Sequence, residues 1–433
     1  MTPVELHGKL RVEGTNIVDA NGDIFQLRGC STHGIAWYPG ILTEDAFRTL
    51  RDDWHINTIR LAMYVEEAGY DNCYMDQKEH NLALVKKGID LCIQLGLYVI
   101  VDWHILIPGN PQDRKEDAKA FFTEIATSYP DCPNIIFEIC NEPNGEGINW
   151  EDIIRPYAVE LTDVIRPLAP DTIIVVGTAT WSQDVHDAVS NPLPDKNTMY
   201  AVHYYAATHK QGLRDRVKAC YELGYPILIS EFGVCDASGD GVNDFEEANL
   251  WFKLLDELQI GYINWAYGNK KEACCVFQPG VDLGKGNWTE DELTESGNFM
   301  KKFFSFSLSG FHSTLSHFHY RVKAHLLDCT IYVFNRNFIL GKDRRRRNCN
   351  NFLTSSDSLK NIEYLRNFKD CTKWTSLHTS TAIDTFCFIY MLNTIFIFRD
   401  STNGANLLAR NWNIYNCVIR TTFLTKTAVD TFV

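Results

Sequence analysis

The chain has 433 residues and a formal net charge of −14, and 45% of its residues are hydrophobic. This length permits one large domain or two ordinary ones, and the apolar content is enough for a sizeable core. The negative charge argues against nucleic acid as the main partner. No stretch reaches the ~18 consecutive apolar residues that a membrane span needs, so the sequence predicts no membrane partner either.

The charge is unevenly divided along the chain. Residues 305–433 hold 16 basic and 8 acidic residues, a net charge of +8, whereas residues 1–304 carry −22. Helical and strand periodicity also fades beyond residue 304, and Pro279 is the last proline. We therefore predict one folded domain over residues 1–304. The remaining residues, 305–433, are predicted to be a basic, irregular tail that is disordered or not a native domain.

Cysteine is abundant, with 14 residues in the chain. Such a number is unusual in a reducing compartment, but the spacing leaves any disulfide pairing open. Cys30, Cys92 and Cys140 lie within apolar patterns, which favours buried free thiols at those positions. The sequence contains no Cys-x-x-Cys or His-x-x-x-His spacing, so no metal site is predicted.

The first 25 residues precede a regular alternation of strands and helices. Segments Lys9–Val12 and Asn16–Val18 predict a short hairpin that forms a lid or plug before the main fold. Eight strands are then predicted from apolar runs, namely Gln26–Gly29, Asn57–Met63, Leu97–Trp103, Asn134–Cys140, Thr172–Gly177, Thr198–Tyr205, Pro226–Ser230 and Gly261–Trp265. Helical patterns follow them at Thr43–Trp54, Glu79–Leu95, Arg114–Ser128, Trp150–Leu168, Gln183–Val189, Gly212–Leu223, Asn243–Leu258 and Glu290–Phe304. In the first of these, Thr43 is predicted to be the N-cap, with Ala46, Phe47, Leu50 and Trp54 on one face.

These eight strand–helix units predict an α/β fold with a parallel sheet. Most of the strand segments are continuously apolar, as parallel strands buried on both faces are. Eight units in about 300 residues favour a (β/α)8 TIM barrel over an open doubly wound sheet. No glycine-rich phosphate loop follows the first strand, which argues against a dinucleotide-binding alternative.

Two of the predicted strands end in a glutamate. The first runs into Asn141, Glu142 and Pro143, and the strand must stop there because proline has no N–H to donate to the ladder. The second ends in Glu231, with Gly233 close behind. Either glutamate alone is more often a solvated loop acid. Together they suggest paired-carboxylate cleavage of an acetal, in which one protonated carboxyl acts as an acid and one carboxylate attacks.

The other strand ends carry polar and aromatic residues of a few types. Because a barrel of this kind builds its site at the carboxyl ends of its strands, these residues are expected to meet. Together with the two glutamates, the strand-end residues are, in chain order, His33, Trp37, Arg60, His104, Asn141, Glu142, Trp181, His203, Tyr205, Glu231 and Trp265. Tryptophan offers a flat apolar face to a sugar ring, and histidine and asparagine can bind hydroxyls. Arg60 beside Glu231 favours its ionised form, while repulsion and desolvation keep Glu142 protonated.

Over residues 7–304 the chain resembles glycoside hydrolase family 5, in its cellulase (endo-β-1,4-glucanase) branch. The matching stretches are Gln26–Gly34, Ile59–Tyr64, Val101–Leu106, Ile136–Gly145, Val202–Ala206, Ser230–Gly233, Asn264–Trp265 and Gly286–Leu293. The resemblance implies that residues 1–304 are a glycoside hydrolase catalytic domain with a retaining mechanism. Glu142 is then the acid/base and Glu231 the nucleophile, with carboxyl groups ~5–5.5 Å apart.

The resemblance also implies roles for the surrounding residues. Arg60 and Tyr205 hold the nucleophile, Asn141 contacts the 2-hydroxyl of the bound sugar, and His104 and His203 complete the site. Lys270 and Glu272 are implied to be polar substrate contacts. The implied sugar-binding positions are His33, Trp37 and Trp181, and Trp265 lies in one of the matching stretches.

The expected partner is cellulose or a related β-glucan, with no cofactor and with the enzyme acting as a monomer. The family works outside the cell, so we expect secretion, although the N-terminus lacks the basic and then apolar run of a signal peptide. The sequon Asn287-Trp288-Thr289 is compatible with secretion.

Three alternatives remain open at this stage. The same barrel and glutamates could cleave β-mannan, xyloglucan or a mixed-linkage glucan. A different class of protein, a carbohydrate-binding barrel without catalysis, would keep the aromatic residues but not need both glutamates. Lastly, the tail could make the full chain misfold.

Overall fold

The computed structural model describes residues 1–305, 386–391 and 394–399. The chain starts with three small elements: helix α1 (Pro3–His7), strand β1 (Arg11–Glu13) and strand β2 (Asn16–Val18). The two strands pair antiparallel, which confirms the predicted hairpin. Helix α1 was not predicted. It is capped by Thr2, whose hydroxyl accepts a bond from the backbone N–H of Glu5.

Eight parallel strands form a closed barrel in the order β10-β3-β4-β5-β6-β7-β8-β9. They are β3 (Arg28–Thr32), β4 (Thr58–Tyr64), β5 (Tyr98–His104), β6 (Ile135–Glu138), β7 (Ile174–Val176), β8 (Thr198–Tyr205), β9 (Ile227–Gly233) and β10 (Tyr262–Tyr267). The helices around them are α2 (Glu44–Asp52), α3 (Lys78–Leu95), α4 (Lys115–Ser128), α5 (Arg155–Ile165), α6 (Ala179–Ser182), α7 (Val185–Ser190), α8 (Gln211–Glu222), α9 (Phe245–Leu258) and α10, which begins at residue 295. The predicted (β/α)8 barrel is confirmed.

Helix α2 shows how local sequence sets an element of this barrel. The hydroxyl of Thr43 accepts a hydrogen bond from the backbone N–H of Ala46, at 3.2 Å, and so caps the first turn. Phe47 and Leu50 then lie on the same face and are buried in the layer between helices and strands. The capping residue and the buried face are those that the sequence predicts.

Element boundaries differ from the predictions where the chain turns towards the site. Strand β6 ends at Glu138, two residues before the predicted end, although Ile139 still donates to the carbonyl of Val175 at 2.9 Å. There the backbone N–H of Glu142 donates to the carbonyl of Ile105 at 3.3 Å. The predicted helix Trp150–Leu168 begins with a wider turn, Trp150–Ile154, before the regular helix α5.

The N-terminal elements plug the amino end of the barrel. Leu10, Ile17 and Phe25 belong to an apolar cluster made with residues near the start of the barrel strands, such as Tyr98. The hydroxyl of Tyr98 also donates to the carbonyl of Gly8 at 2.6 Å. The plug therefore seals the end of the barrel opposite to the carboxyl ends of the strands.

Two further strands are described far along the chain. They are β11 (Phe386–Met391) and β12 (Thr394–Arg399), which pair antiparallel with Met391 opposite Thr394. The sequence pattern did not indicate strands there. Apart from this hairpin, the predicted irregular tail over residues 305–433 lies outside the described residues and stays a prediction. Across the part of the chain that the structure describes, no helix is both long and apolar enough to cross a membrane.

Candidate active site

Arg60 is the centre of the candidate site at the carboxyl ends of the strands. It lies on β4, is completely buried, and donates from Nε to Glu138 at 2.7 Å and from Nη1 to Glu231 at 3.0 Å. Nη2 reaches Asn141 Oδ1 at 2.6 Å and lies 3.0 Å from Asp102 Oδ2. A buried cation is tolerated only with such partners. Although burial opposes it, the surrounding carboxylates raise the pKa of Arg60, which therefore stays charged.

Glu231, on β9, is held by two donors. Its Oε1 accepts from the hydroxyl of Tyr205 at 2.7 Å, and its Oε2 accepts from Arg60. Burial favours protonation, but the positive charges of His203 and Arg60 outweigh it and lower the pKa of Glu231. Gly233 allows this arrangement, because a Cβ at that position would come within 2.4 Å of the Tyr205 ring. The geometry thus keeps Glu231 ionised and fixed in orientation.

Glu142 has the opposite electrostatic setting. It lies on the loop after β6, is 8% exposed, and its Oε1 is 2.8 Å from His203 Nδ1. Burial and the negative charge of Glu231 raise the pKa of Glu142, and His203 only partly opposes them. The pKa values of the two glutamates are therefore shifted in opposite directions, as a site with one acid and one carboxylate requires.

The two glutamates lie close together. One oxygen of Glu142, one oxygen of Glu231 and a ring nitrogen of His203 all lie within 4.8 Å of one another. Carboxyl groups of retaining glycosidases are ~5–5.5 Å apart and those of inverting enzymes are ~6.5–9.5 Å apart. The approach of these two side chains is on the short side of that division.

His203 connects the acid side of the site to the barrel interior. Its Nε2 lies 2.9 Å from Ser230 Oγ and 3.7 Å from Glu138 Oε1. Burial favours the neutral ring, but the contacts with Glu138 and Glu142 raise the pKa of His203 to about 9. The imidazole is therefore a cation at neutral pH.

His104, unlike His203, is a neutral imidazole ring. Its Nδ1 donates to Asp102 Oδ2 at 2.6 Å, and its Nε2 accepts from the Asn141 amide at 3.2 Å. Burial and the charge of Arg60 hold the pKa of His104 well below its usual range. Because Asn141 accepts from Arg60, its NH₂ group must face His104 and the carbonyl of Ile105. Asn141 is thereby fixed beside Glu142.

Aromatic rings surround these charged groups. Trp265 is stacked on His104 with ring centroids 5.3 Å apart and an interplanar angle of 15°. Tyr64 lies between His104 and Trp37, at centroid distances of 4.1 and 4.6 Å. The indole N–H of Trp37 donates to the carbonyl of Asp71 at 2.8 Å, which fixes the ring at the rim. These rings make one side of the site apolar.

A polar group lies at the same rim. Glu272 forms an ion pair with Lys270, and its Oε2 is 3.7 Å from His33 Nε2. His33 in turn lies 5.1 Å from the Trp265 ring. Lys270 is partly exposed, so the pair can offer a cation and an anion to hydroxyls of a bound ligand.

Trp181 is placed by a strained turn on the other side of the site. Thr180, Trp181 and Ser182 have φ values of 55°, 54° and 56°, a left-handed conformation that residues with a Cβ rarely adopt in succession. The turn is held by hydrogen bonds from Trp181 N to Pro143 O at 3.2 Å and from Ser182 Oγ to Asn141 O at 2.7 Å. The indole remains 46% exposed. Strain is thus found in a turn that is tied to the two residues flanking Glu142 in the chain.

The structure brings all the predicted site residues to this end of the barrel and adds four that sequence reasoning missed. These are Tyr64, Asp102, Glu138 and Ser230. Asp102 and Glu138 had a usable signal, since each is a single acid inside an apolar strand and a buried acid requires a partner. Tyr64 and Ser230 had none, because both are ordinary residues of buried strands.

Among the residues that the structure describes, two groups of side chains have atoms close enough to ligate a metal ion. The first, Glu142, His203 and Glu231, is already accounted for by the contacts with Arg60 and between His203 and Glu142. The second is His33, Glu272 and Cys275. There Glu272 is paired with Lys270, while contact with Cys274 and burial raise the pKa of the Cys275 thiol and disfavour the thiolate that a metal needs.

Comparison with known proteins agrees with this geometry. The family model for cellulase (glycosyl hydrolase family 5) matches residues 18–271. "Endoglucanase 5" of Pectobacterium carotovorum subsp. carotovorum is 46% identical over 302 residues, which are 70% of this chain and 58% of that protein. "Endoglucanase N" of Pectobacterium atrosepticum is 45% identical, over 70% of this chain and 66% of its own length. The chain thus spans about three fifths of the length of these curated relatives.

Solved structures give the same result. A protein from Cytophaga hutchinsonii matches with a TM-score of 0.68 and 35% identity, over 72% of this chain and 100% of its own. The catalytic domain of an endoglucanase of Thermobifida fusca, solved in complex with cellotetraose, matches with a TM-score of 0.67 and 38% identity, over 70% and 99%. The fold and the family match together define a glycoside hydrolase. The chain belongs to glycoside hydrolase family 5, the cellulase family.

Proposed function

We propose that this protein is an endo-β-1,4-glucanase that hydrolyses cellulose and related β-glucans with retention of configuration. The observation that carries the proposal is the pair of glutamates. An oxygen of Glu142 and an oxygen of Glu231 lie within 4.8 Å, and the pKa of Glu142 is raised while that of Glu231 is lowered. A retaining glycosidase needs such a pair, one acid and one nucleophile at short distance.

In the first step, Glu231 attacks the anomeric carbon while Glu142 gives its proton to the leaving glycosidic oxygen. This forms a glycosyl ester on Glu231 and releases the first product. Arg60 and Tyr205 each bind one oxygen of Glu231, so the attacking carboxylate does not rotate away. We assign the contact with the sugar 2-hydroxyl to Asn141, which is buried beside Glu142.

In the second step, Glu142 is a base. It has lost its proton and now takes one from a water molecule, which attacks the anomeric carbon and releases Glu231. The His203 cation at 2.8 Å stabilises the Glu142 carboxylate during this interval. Two inversions at the same carbon leave the product with the configuration of the substrate.

Cellulose-type glucans are the proposed substrates for two reasons. The relatives that match over most of the barrel are named endoglucanases, and the Thermobifida fusca structure holds cellotetraose. In this chain, Trp37, Trp181 and Trp265 lie at the end of the barrel that carries the two glutamates, where their aromatic faces can contact the rings of an extended sugar chain. We further propose that the protein acts outside the cell and as a monomer.

The test of substrate is reducing-sugar release by the full chain from carboxymethylcellulose, galactomannan and xylan. We expect release mainly from carboxymethylcellulose, loss of that release in Glu231→Ala, and no change in Glu257→Gln, a control on the exposed face of α9. Preference for galactomannan or xylan would assign the same chemistry to another β-glycan. No release by folded protein from any of the three would indicate a carbohydrate-binding barrel without catalysis.

Azide separates the roles of the two glutamates. In Glu231→Ala, azide can replace the nucleophile and gives an α-glycosyl azide in one inversion. In Glu142→Ala the glycosyl ester on Glu231 still forms from a substrate with a good leaving group, and azide then gives a β-glycosyl azide. The loss in rate for Glu142→Ala on unactivated glucan is expected to be about 10²–10⁴-fold. Products of the same configuration from both variants would contradict the assignment.

A further inference from the structure

Three cysteines lie together beneath the loops that follow β9 and β10. Cys235 comes shortly after Glu231 in the chain, and Cys274 and Cys275 follow the Lys270–Glu272 segment. All three are fully buried and belong to a small apolar cluster that also contains Trp265 and a fourth buried cysteine, Cys73. They are free thiols in the structure. The proposed mechanism uses none of them.

The Cys235 and Cys274 side chains face each other across the two loops. The backbone N–H of Cys274 donates to the carbonyl of Gly239 at 2.9 Å, which ties its loop to the one that follows Cys235. A Cβ placed at Gly239 would lie 3.5 Å from Cys274 Sγ, so this sulfur points at the Cys235 loop. The Cys235 thiol is close enough to raise the pKa of the Cys274 thiol. The Cys235 sulfur also lies 3.4 Å from the carbonyl of Asp236, and the Cys274 sulfur lies 3.7 Å from Glu272 Oε2.

Cys275 is less suitable than these two cysteines as a partner in a disulfide bond. Its sulfur lies within 4.8 Å of ligating atoms of His33 and Glu272, and a Cβ placed at Gly268 would lie 3.8 Å from it, so Cys275 packs beside His33 and Gly268. The groups that shift the pKa of its thiol include Cys274 but not Cys235. A bridge between Cys274 and Cys275 is also unfavourable. Neighbouring residues have Cα atoms about 3.8 Å apart, whereas disulfides usually span about 4.4–6.8 Å between Cα atoms.

We propose that Cys235 and Cys274 form a disulfide when the protein folds in an oxidising medium. With glutathione disulfide as the oxidant, one cysteine thiolate attacks a glutathione sulfur and displaces a glutathione thiolate. The second cysteine thiolate then attacks the mixed disulfide and displaces the other glutathione. The two cysteines lose two protons and two electrons, and one glutathione disulfide becomes two glutathione thiols. This inference does not depend on the proposed activity.

The disulfide would fasten two loops of the site to each other. One loop continues from the strand that carries Glu231, and the other carries Lys270 and Glu272. Contact with Cys235 and burial raise the pKa of the Cys274 thiol in the folded protein, so the thiolate needed for exchange is scarce once the loops have closed. The bond therefore forms during folding and is reduced slowly afterwards.

The test is peptide mapping of the full chain refolded in a glutathione redox buffer. Free thiols are alkylated in guanidinium without reductant, and the protein is then digested. We expect a cross-linked peptide that contains Cys235 and Cys274 and is two hydrogens lighter than the sum of its parts. Cys30, Cys92 and Cys140, which lie elsewhere in the core, are expected to be alkylated. Complete alkylation of Cys235, or a bridge from Cys235 to another cysteine, would overturn the proposal.

Two serine variants sharpen the result. Cys274→Ser is expected to leave Cys235 fully alkylated, whereas the matched control Cys275→Ser keeps the cross-linked peptide. Reduction is expected to lower the Tm of the unmodified protein and of Cys275→Ser by several degrees and to leave that of Cys274→Ser unchanged. An equal response of all three proteins to reduction would contradict the assignment of the bond to this pair.

Discussion

The two ends of the barrel are built from the same eight strands but in opposite ways. At the amino end, Leu10, Ile17 and Phe25 cover the strand starts with apolar side chains. At the carboxyl end, Arg60 and Glu231 are buried as charges. The first arrangement gains stability from apolar burial, whereas the second must offset desolvation with ion pairs and hydrogen bonds. Stability and chemistry are thus assigned to opposite ends of the same sheet.

Single strands show the change from one end to the other. On β5, Ile100 belongs to the apolar cluster of the amino end, whereas Asp102 and His104 face the charged site. On β9, Leu228 belongs to that cluster and Glu231 lies at the site. Alternate residues of a strand point to the same side of the sheet. One strand therefore contributes a side chain to the apolar cluster near its start and to the charged site near its end.

The largest expected effect is on catalysis at the carboxyl end. Glu231→Gln removes the attacking charge with little change in shape, so we expect kcat to fall by about 10⁴- to 10⁶-fold. Arg60 keeps Glu138 and Asp102 as partners, and the free energy of unfolding should therefore stay close to that of the unmodified protein. Initial rates on carboxymethylcellulose and urea unfolding followed by fluorescence measure the two quantities. A large loss of stability with the loss of rate would contradict the separation of the two ends.

The next effect is on stability at the amino end. Phe25 is 8% exposed and packs against His7 and Tyr98 in the plug. Phe25→Ala is expected to lower the free energy of unfolding by about 3–5 kcal/mol, because it leaves a cavity. The kcat of the folded protein should not change.

The neighbouring residue provides the control for this experiment. Ile24 is 56% exposed, and Ile24→Ala should change the free energy of unfolding by less than about 0.5 kcal/mol. A fall in kcat of Phe25→Ala at a temperature where it is fully folded would show that the plug influences the site.

A smaller effect concerns the pH profile. Activity requires Glu231 ionised and Glu142 protonated, so kcat/KM should fall on the acid side through the first group and on the basic side through the second. The His203 cation lowers the pKa values of both glutamates. His203→Asn removes it, and both limbs should move to higher pH. The profile of kcat/KM against pH measures this, with the exposed His186→Asn as control. A movement of either limb to lower pH would contradict the electrostatic account.

The smallest effect is expected at the strained turn. Trp181→Ala and Trp181→Gly both remove the indole, and each should raise KM for long glucans about 5- to 30-fold through lost apolar contact. Only glycine also relieves the left-handed backbone, so Trp181→Gly should be about 1 kcal/mol more stable than Trp181→Ala. KM values and unfolding midpoints of the two variants give the comparison. Equal stability would mean that the turn stores no strain.

Much of this architecture follows from local sequence. The strand β8 has the predicted ends Thr198 and Tyr205, and α2 begins after its predicted cap at Thr43. Apolar runs of strand length, helical periodicity and capping residues act over a few neighbouring residues, so they can be recognised without knowledge of the rest of the chain. The positions of Glu142 and Glu231 at strand ends can likewise be recognised from local sequence.

Other features were decided only when the barrel closed. Arg60 joins Asp102, Glu138 and Glu231 from three other strands, and no spacing along the chain indicates that these four ionisable side chains share one buried site. The pKa shifts arise from burial and from charges that folding brings close together. The approach of Cys235 to Cys274 likewise exists only in the folded chain. Local sequence therefore sets the elements and the residues at their ends. The electrostatics of the site depends on distances across the barrel, which exist only in the tertiary structure.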